Sequence, residues 1–464
     1  MKKALTKILI RNALLVATMD DRGTRIPSGD VLIDSCEIKD AGTGLMKKHR
    51  LNSSNTKIID ATGCIVLPGF VNTHHHLYQS LNRVLPAVQD AELFDWIKYL
   101  YGVWEKITPE WVHVSTQVGL AELLLTGCTT TTDQFYVFPE GQPSDLLDYE
   151  ISAAREIGIR FHPSRGSMSC GKSKGGLPPD SVVQTEDKIL RDCERVVNKY
   201  HDPGKFSMCR IVLAPCSPFS VTTELLKQTL EFARRDPAKK IYCHTHLAET
   251  LDEEKYCIGI YGKRPAEYIR DIGWLGGDVF FAHCVHLNTD EIKMLGRTKT
   301  GVAHCPVSNL RLSSGIAPIR ELIDAGAKVG LAVDGSASND SGNMLAELRQ
   351  CLLVHRYRSG VTSMKAEEVV RLATRGGADV LGRDDIGSIE PGKAADVVLY
   401  DLNKIGYAGA MSDPLAALIF CGDTQIAKTV VVNGKVVVDD GRLVTVDEEK
   451  VTRKANLLTK MLNE

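Results

Sequence analysis

Short apolar runs bounded by turn residues open the chain. Ile8-Leu9-Ile10, Val31-Leu32-Ile33 and Lys57-Ile58-Ile59 are separated by Gly23, Gly29 and Gly63, the pattern of all-β structure. The other end has the same texture: Ala395–Tyr400 follows a Pro391-Gly392 turn, and Thr429–Val432 and Lys435–Val438 flank Asn433-Gly434. Asn-Gly between two valine runs predicts a hairpin, because both turn residues accept positive φ. Between these ends, short apolar strands finish near His76, Asp133, His162, Pro215, His246, His283, His304 and Asp334. Helical stretches intervene, such as Trp111–Leu125 and Thr223–Arg235, whose apolar residues recur at three- and four-residue spacing. Eight strand-then-helix units favour an α/β architecture built on a closed (β/α)8, TIM-like barrel over an open doubly wound sheet. The expected organisation is a barrel over residues 67–380, with residues 1–66 and 381–464 joining into one small β-sandwich made from both chain ends.

Composition narrows the classes of function. The 464 residues carry 56 Lys plus Arg against 58 Asp plus Glu, so there is no electrostatic footprint for nucleic acid or an anionic membrane. No stretch approaches 18 apolar residues, and Arg11 and Asn12 break the apolar run after Met1-Lys2-Lys3 before it reaches signal-peptide length. Thirteen cysteines, scattered without a Cys-x-x-Cys pair, predict reduced thiols and a cytoplasmic enzyme. The expected partner is a small molecule, with a homo-oligomer as the expected assembly.

Candidate chemistry collects at the strand ends. His74 and His76 in Asn72-Thr73-His74-His75-His76 are two residues apart, so on a strand they face the same side, which is how two imidazoles share a metal. His244 and His246 close one further strand, His283 another, and Asp334 another. A lone strand-end histidine is more often a hydrogen-bonded core residue than a ligand; four such ends on one barrel face are poorly explained that way. Glu249, just past His246, can lean over a metal without binding it and is a proton-shuttle candidate. The plainer alternative is a helix-start acid like its neighbours Asp252, Glu253 and Glu254.

Together these residues resemble the amidohydrolase superfamily in its mononuclear deaminase branch. The resemblance rests on Pro68-Gly69-Phe70-Val71-Asn72-Thr73-His74-His75-His76, His246-Leu247-Ala248-Glu249, Ala282-His283, His304-Cys305-Pro306-Val307-Ser308-Asn309 and Asp334-Gly335, and spans almost the whole chain. It implies that His74, His76, His246 and Asp334 hold one zinc ion, with iron as the alternative metal, and that Glu249, His283 and Asp334 act on substrate and water. The branch that uses two metals needs a lysine at the fourth strand end, and Arg210-Ile211-Val212-Leu213-Ala214-Pro215-Cys216-Ser217 has none. The Pro-Cys-x-x-Cys signature of the unrelated zinc deaminases is also absent.

The substrate follows from smaller signals. His76-Leu77-Tyr78-Gln79 is similar to the guanine deaminase pattern, in which the Gln amide reads a purine lactam edge; guanine deaminases, however, carry Arg-Phe after the Ala-Pro where this chain has Cys216-Ser217. Arg165-Gly166-Ser167-Met168, Ala214-Pro215-Cys216-Ser217 and Asp334-Gly335-Ser336 are similar to bacterial 8-oxoguanine deaminases, and in part to s-triazine hydrolases. The resemblance implies deamination of 8-oxoguanine to urate and ammonia; guanine, isocytosine, pterin or hydroxy-s-triazine aminohydrolase activity is the alternative. Substrate-binding candidates are Gln79, Arg83, Trp104 and Ser217, although Arg83 is equally read as a salt-bridged residue, and Tyr101 and Trp104 as helix core or lid packing.

Overall fold

The computed structural model describes residues 7–422 and 425–463; the Met1-Lys2-Lys3 start lies outside them. The amino-terminal part supplies β1 (Lys7–Ala17), β2 (Arg25–Asp34), β3 (Glu37–Gly42), β4 (Thr56–Asp60) and β5 (Cys64–Pro68). Nine strands follow: β6 (Phe70–Asn72), β7 (Cys128–Thr132), β8 (Arg160–His162), β9 (Ser164–Ser167), β10 (Val212–Pro215), β11 (Tyr242–Leu247), β12 (Val279–His283), β13 (Gly301–His304) and β14 (Lys328–Leu331). The chain ends with β15 (Val397–Asp401), β16 (Thr429–Val432), β17 (Lys435–Asp439) and β18 (Arg442–Leu443), followed by a helix over Glu448–Asn463.

The nine central strands make eight staves. Pro163 has no N–H to give a ladder, and it divides the third stave into β8, which pairs with β7, and β9, which pairs with β10. Every pairing among β6–β14 is parallel. The ring closes where Thr73 N and Thr73 Oγ1 donate to Leu331 O at 3.1 and 3.0 Å. Strands covered by helices outside and side chains inside lose the apolar–polar alternation, and β7, β10, β12 and β13 are buried throughout. The helix expected over Trp111–Leu125 starts earlier, at Pro109, because Thr108 accepts the Trp111 amide as its cap and proline tolerates the first helical position.

The sandwich expected from the chain ends takes the form of one nine-stranded sheet, in the order β18-β17-β16-β15-β5-β1-β2-β3 with β4 also paired to β1. The bend that allows this falls in β1, where the register shifts between Ile10 and Ala13 and Asn12 adopts φ 61°. One apolar cluster draws Ile8, Ile10 and Val31 from the start of the chain together with Val397, Leu399 and Val431 from its end. The Asn433-Gly434 hairpin forms with φ of 48° and 76°, the geometry its sequence predicts.

Sheet and barrel are joined by a buried ion pair. Arg160, on β8, donates from Nε and Nη2 to the two carboxylate oxygens of Asp396, both at 3.1 Å, and from Nη1 to Phe206 O and Ser207 O at 2.7 and 2.6 Å. Asp396 also accepts the Asn433 amide at 2.7 Å, so a single carboxylate ties the third stave to the carboxy-terminal hairpin. Among the described residues no helix is long and apolar enough to cross a membrane. Asp396→Ala would strand the Arg160 guanidinium in the interior, a loss of about 3–5 kcal/mol. We expect a clear fall in the thermal unfolding midpoint; an unchanged midpoint would show that the link carries little.

Candidate active site

The carboxyl ends of the staves converge on a cluster of imidazoles. His74 and His76 lie just beyond β6, in a segment whose alternation continues: His75 turns outward against Gly119, while Gln134 N donates to His75 O at 2.8 Å and Asp334 N to His74 O at 3.1 Å. His246 stands on β11. Asp334 was expected to end its strand; β14 instead stops at Leu331, and Asp334 follows in a left-handed conformation, φ 64°. Ala248, His283 and Cys284 share that conformation, with φ of 52°, 71° and 50°. For residues with a Cβ it costs about 1–2 kcal/mol each, and at His283 and Asp334 it accompanies side chains that line the barrel mouth.

Hydrogen bonds decide which ring nitrogens carry protons. His76 Nδ1 donates to Gln134 O at 2.9 Å and His246 Nδ1 to Cys216 O at 2.7 Å. His244 Nδ1 donates to Phe280 O at 3.0 Å, so its Nε2 accepts the proton of His74 Nδ1 at 2.8 Å. Each of the three inner histidines therefore presents a proton-free Nε2, an assignment that rests on the carbonyl acceptors behind them. Burial holds all three well toward the neutral form, His76 down to about 3. These lone pairs face one another: His76 Nε2 and His246 Nε2 are 3.2 Å apart, and Asp334 Oδ1 lies 3.2 Å from His74 Nε2 and 3.4 Å from His76 Nε2. His74 Nε2 has no hydrogen-bond partner although fully buried. Acceptors crowded this way repel unless a cation lies between them. Separations of 3.2–3.4 Å between neighbouring donors are those of ligands sharing one metal at bonds of about 2.0–2.1 Å. The donor set of three imidazoles and one carboxylate suits zinc.

Asp334 Oδ2 accepts Ser308 Oγ at 2.5 Å and Ser338 Oγ at 3.1 Å. Burial opposes its charge, while the two serine hydroxyls and the Gly335 amide, which donates to Oδ1 at 2.7 Å, favour the carboxylate. His283 Nδ1 contacts Asn309 Oδ1 at 2.8 Å, leaving Nε2 3.6 Å from Glu249 Oε2 and 3.9 Å from Asp334 Oδ2. Burial would lower the His283 pKa, yet these two carboxylates raise it overall; burial raises that of Glu249.

Glu253 is no solvated helix-start acid. It is fully buried, and its two oxygens accept the amides of Ala248 and Glu249 at 2.9 and 2.8 Å, which fixes the turn that aims Glu249. A capping box normally reaches back to the cap residue itself; this one reaches one and two residues further. Its spacing from Glu249 was visible in the sequence, but its target was not.

The space in contact with these groups is about 30 Å3, room for roughly one water. It is lined by Gln79, Tyr136, Cys216 and Phe219 and roofed by Leu93, Trp96 and Ile97 from the helix Leu93–Trp104. Gln79 is poorly satisfied there, at 3.4 Å from both the Ala337 amide and the Tyr78 hydroxyl. Gly335 is required beside it, because a Cβ would fall 2.0 Å from Gln79 Oε1. Three substrate-binding candidates do not reach this space. Arg83 is held by Glu122 at 2.5 Å. Trp104 sits one layer behind, donating to Asn82 Oδ1 at 3.2 Å with its ring edge-on to Tyr78. Ser217 turns to Ser220 Oγ at 2.8 Å, and the preceding Cys216 faces the space instead. Trp96, Tyr136 and Phe219 are wall residues that sequence reasoning missed; aromatic residues on helices and loops carry no strand-end signal. A larger cleft, about 550 Å3, lies at the amino end of β8, away from the imidazoles.

Behind the mouth, Asp133 Oδ1 accepts the Leu77 amide at 2.6 Å, pinning the segment that carries Gln79. Asp133 and Glu150 share the interior with each other; burial lifts the Asp133 carboxyl to about 7 and that of Glu150 well above its usual range.

The molecule is similar to known proteins over its whole length. A model of the amidohydrolase family matches residues 65–437. An 8-oxoguanine deaminase of Pseudomonas aeruginosa is 44% identical over 96% of this chain and 96% of its own. An isoxanthopterin deaminase from an unknown prokaryotic organism is 34% identical over 98% and 97%. The crystal structure of an atrazine chlorohydrolase from Arthrobacter aurescens TC1 complexed with zinc superposes with a TM-score of 0.91, at 36% identity over 97% of this chain and all of that one.

The acid pair behind the mouth yields a pH test. A carboxyl whose folded pKa is raised binds its proton more tightly when folded, so its stabilisation is complete below the ordinary carboxylate range and is lost as pH rises through about 7. Glu150→Gln, neutral throughout, should lose less thermal stability than the parent protein between pH 5 and 8. Parallel stability curves would refute the pairing.

Proposed function

Because the chain belongs to the amidohydrolase family, we propose that it is a zinc-dependent aminohydrolase that releases ammonia from a ring carbon flanked by nitrogens, with 8-oxoguanine as its preferred substrate and urate as the product. The observation that carries the reading is the chain of close acceptor pairs, His246 Nε2 to His76 Nε2 and both His76 Nε2 and His74 Nε2 to Asp334 Oδ1, at 3.2–3.4 Å. In this reading His74, His76, His246 and Asp334 hold the metal. Bound zinc supplies a water acidic enough to act as nucleophile at neutral pH. Asp334 Oδ2 and His283 Nε2 are the groups placed to orient that water and take its proton. Glu249 is buried, aimed by Glu253 and biased toward its protonated form. It gives a proton to the ring nitrogen beside the amino-bearing carbon, then assists the departing amine. The thirteen free cysteines support a reducing, cytoplasmic setting, and a homo-oligomer of such chains belongs to the same reading.

The choice of 8-oxoguanine rests on the relative at 44% identity and on the wall chemistry. Gln79 brings an amide held only by two 3.4 Å contacts to read a lactam edge, and Cys216 stands where guanine deaminases carry a cation. The 8-oxo ring offers an N–H at position 7 where guanine offers an acceptor. A site tuned to one leaves a buried group unpaired with the other, at a cost of a few kcal/mol. Arg83, Trp104 and Ser217 support the wall from behind and do not touch the ring.

Three measurements test this. Metal analysis of the purified protein should find about one zinc per chain, and Glu249→Gln should keep that zinc yet lose about two or more decades in kcat; near-normal turnover would remove Glu249 from its role. Ammonia release from 8-oxoguanine, guanine, isocytosine, isoxanthopterin and a hydroxy-s-triazine should give the highest kcat/KM for 8-oxoguanine. Any other ring winning overturns the substrate but leaves the aminohydrolase.

A further inference from the structure

A second cluster of metal-ligating groups lies outside the barrel mouth. His304 ends β13, while Cys351 and His355 stand four residues apart on the helix Met344–Ser359, hence on one face of it. One ligand atom from each lies within 4.8 Å of the other two, and all three residues are buried. His304 Nε2 and His355 Nε2 are 2.9 Å apart, sharing a proton. The Nδ1 atoms of both rings are buried without any hydrogen-bond partner. A neutral imidazole pair carries two protons and this contact uses one, so hydrogen bonding does not account for the cluster.

Charge selects what it would hold. Burial keeps both imidazoles neutral, His355 at about 4, and keeps Cys351 a thiol. Glu347, one turn before Cys351, is the nearest carboxyl on that helix face; burial pushes its pKa up, and both its oxygens are engaged, by Asn339 and by the Val307 amide, so it is not free to ligate. Among the three ligand side chains, only Cys351 can carry negative charge, as one thiolate. A divalent ion would leave net positive charge in an apolar interior, which is costly, whereas a monovalent ion leaves none.

We propose that His304, Cys351 and His355 form a binding site for a monovalent thiophilic cation such as Cu(I), separate from the barrel-mouth donors. On binding, the Cys351 S–H bond breaks, an S–Cu bond forms and the proton leaves to solvent. The proton shared between the rings moves to Nδ1 of its own ring, freeing both Nε2 lone pairs. No oxidant or reductant is consumed. The ring nitrogens must separate by about half an ångström to accept metal–nitrogen bonds of about 2 Å. Thiolate with two imidazoles is a donor set that suits copper.

The test loads the zinc-containing protein anaerobically with Cu(I) buffered by glutathione, which keeps exposed thiols such as Cys421 from competing. Copper content and X-ray absorption at the copper edge are then read. The expected result is about one copper per chain beyond the zinc, with one sulfur and two imidazole nitrogens as ligands. His355→Gln and Cys351→Ser should each abolish that copper while zinc content and circular dichroism stay unchanged. Sulfur-only ligation in the parent protein overturns the proposal without recourse to any variant. So does undiminished copper in folded His355→Gln, and so does no uptake at all.

Discussion

Four acceptor atoms held at repulsive distance organise the barrel mouth. His74, His76 and His246 donate their Nδ1 protons to groups fixed by the staves: the Gln134 and Cys216 carbonyls, and His244 backed by Phe280 O. With those protons committed, the Nε2 lone pairs have nowhere to point but at one another and at Asp334. A polar cluster of this kind is unfavourable by itself in a buried setting and becomes favourable around a cation. The backbone also shows this dependence, because Asp334 and His283 both occupy left-handed conformations that only a strongly determined surrounding maintains.

The outer contacts divide the remaining work between positioning and proton chemistry. Ser308 and Ser338 orient Asp334, Asn309 orients His283, and Glu253 shapes the turn beneath Glu249. Glu249 and Asp334 sit in the same cluster yet are pushed in opposite directions, Glu249 toward its protonated form by burial and Asp334 toward its charged form by the hydroxyl and amide donors on it. Such a separation lets one carboxyl give a proton while the other receives one.

The roof is built differently. Leu93, Trp96 and Ile97 share one face of the helix Leu93–Trp104 and meet Tyr136 and Phe219 across the mouth. The surface they turn to the mouth is apolar, and the Trp96 indole N–H fixes the roof by donating to Ala337 O at 3.2 Å.

Some of this was written in the chain itself. Period-two spacing of His74 and His76, polar residues ending apolar runs at His246 and His283, and the Asn433-Gly434 turn are local patterns, and they announced the barrel, its end sheet and the residues that meet at its mouth. Gln79 was also legible, three residues after His76. What the chain could not state is which residues meet across it. Arg83, Trp104 and Ser217 sit near the site in sequence, but Glu122, Asn82 and Ser220 draw them away from it. His244 backs His74 from 170 residues away. Glu253 reads as a helix-start acid until its carboxylate is seen to cap the turn that carries Glu249. Strand periodicity determines which side of a stave a residue faces; hydrogen-bond partners, proton positions and cavity walls are set by contacts between distant segments, and only the closed barrel decides those.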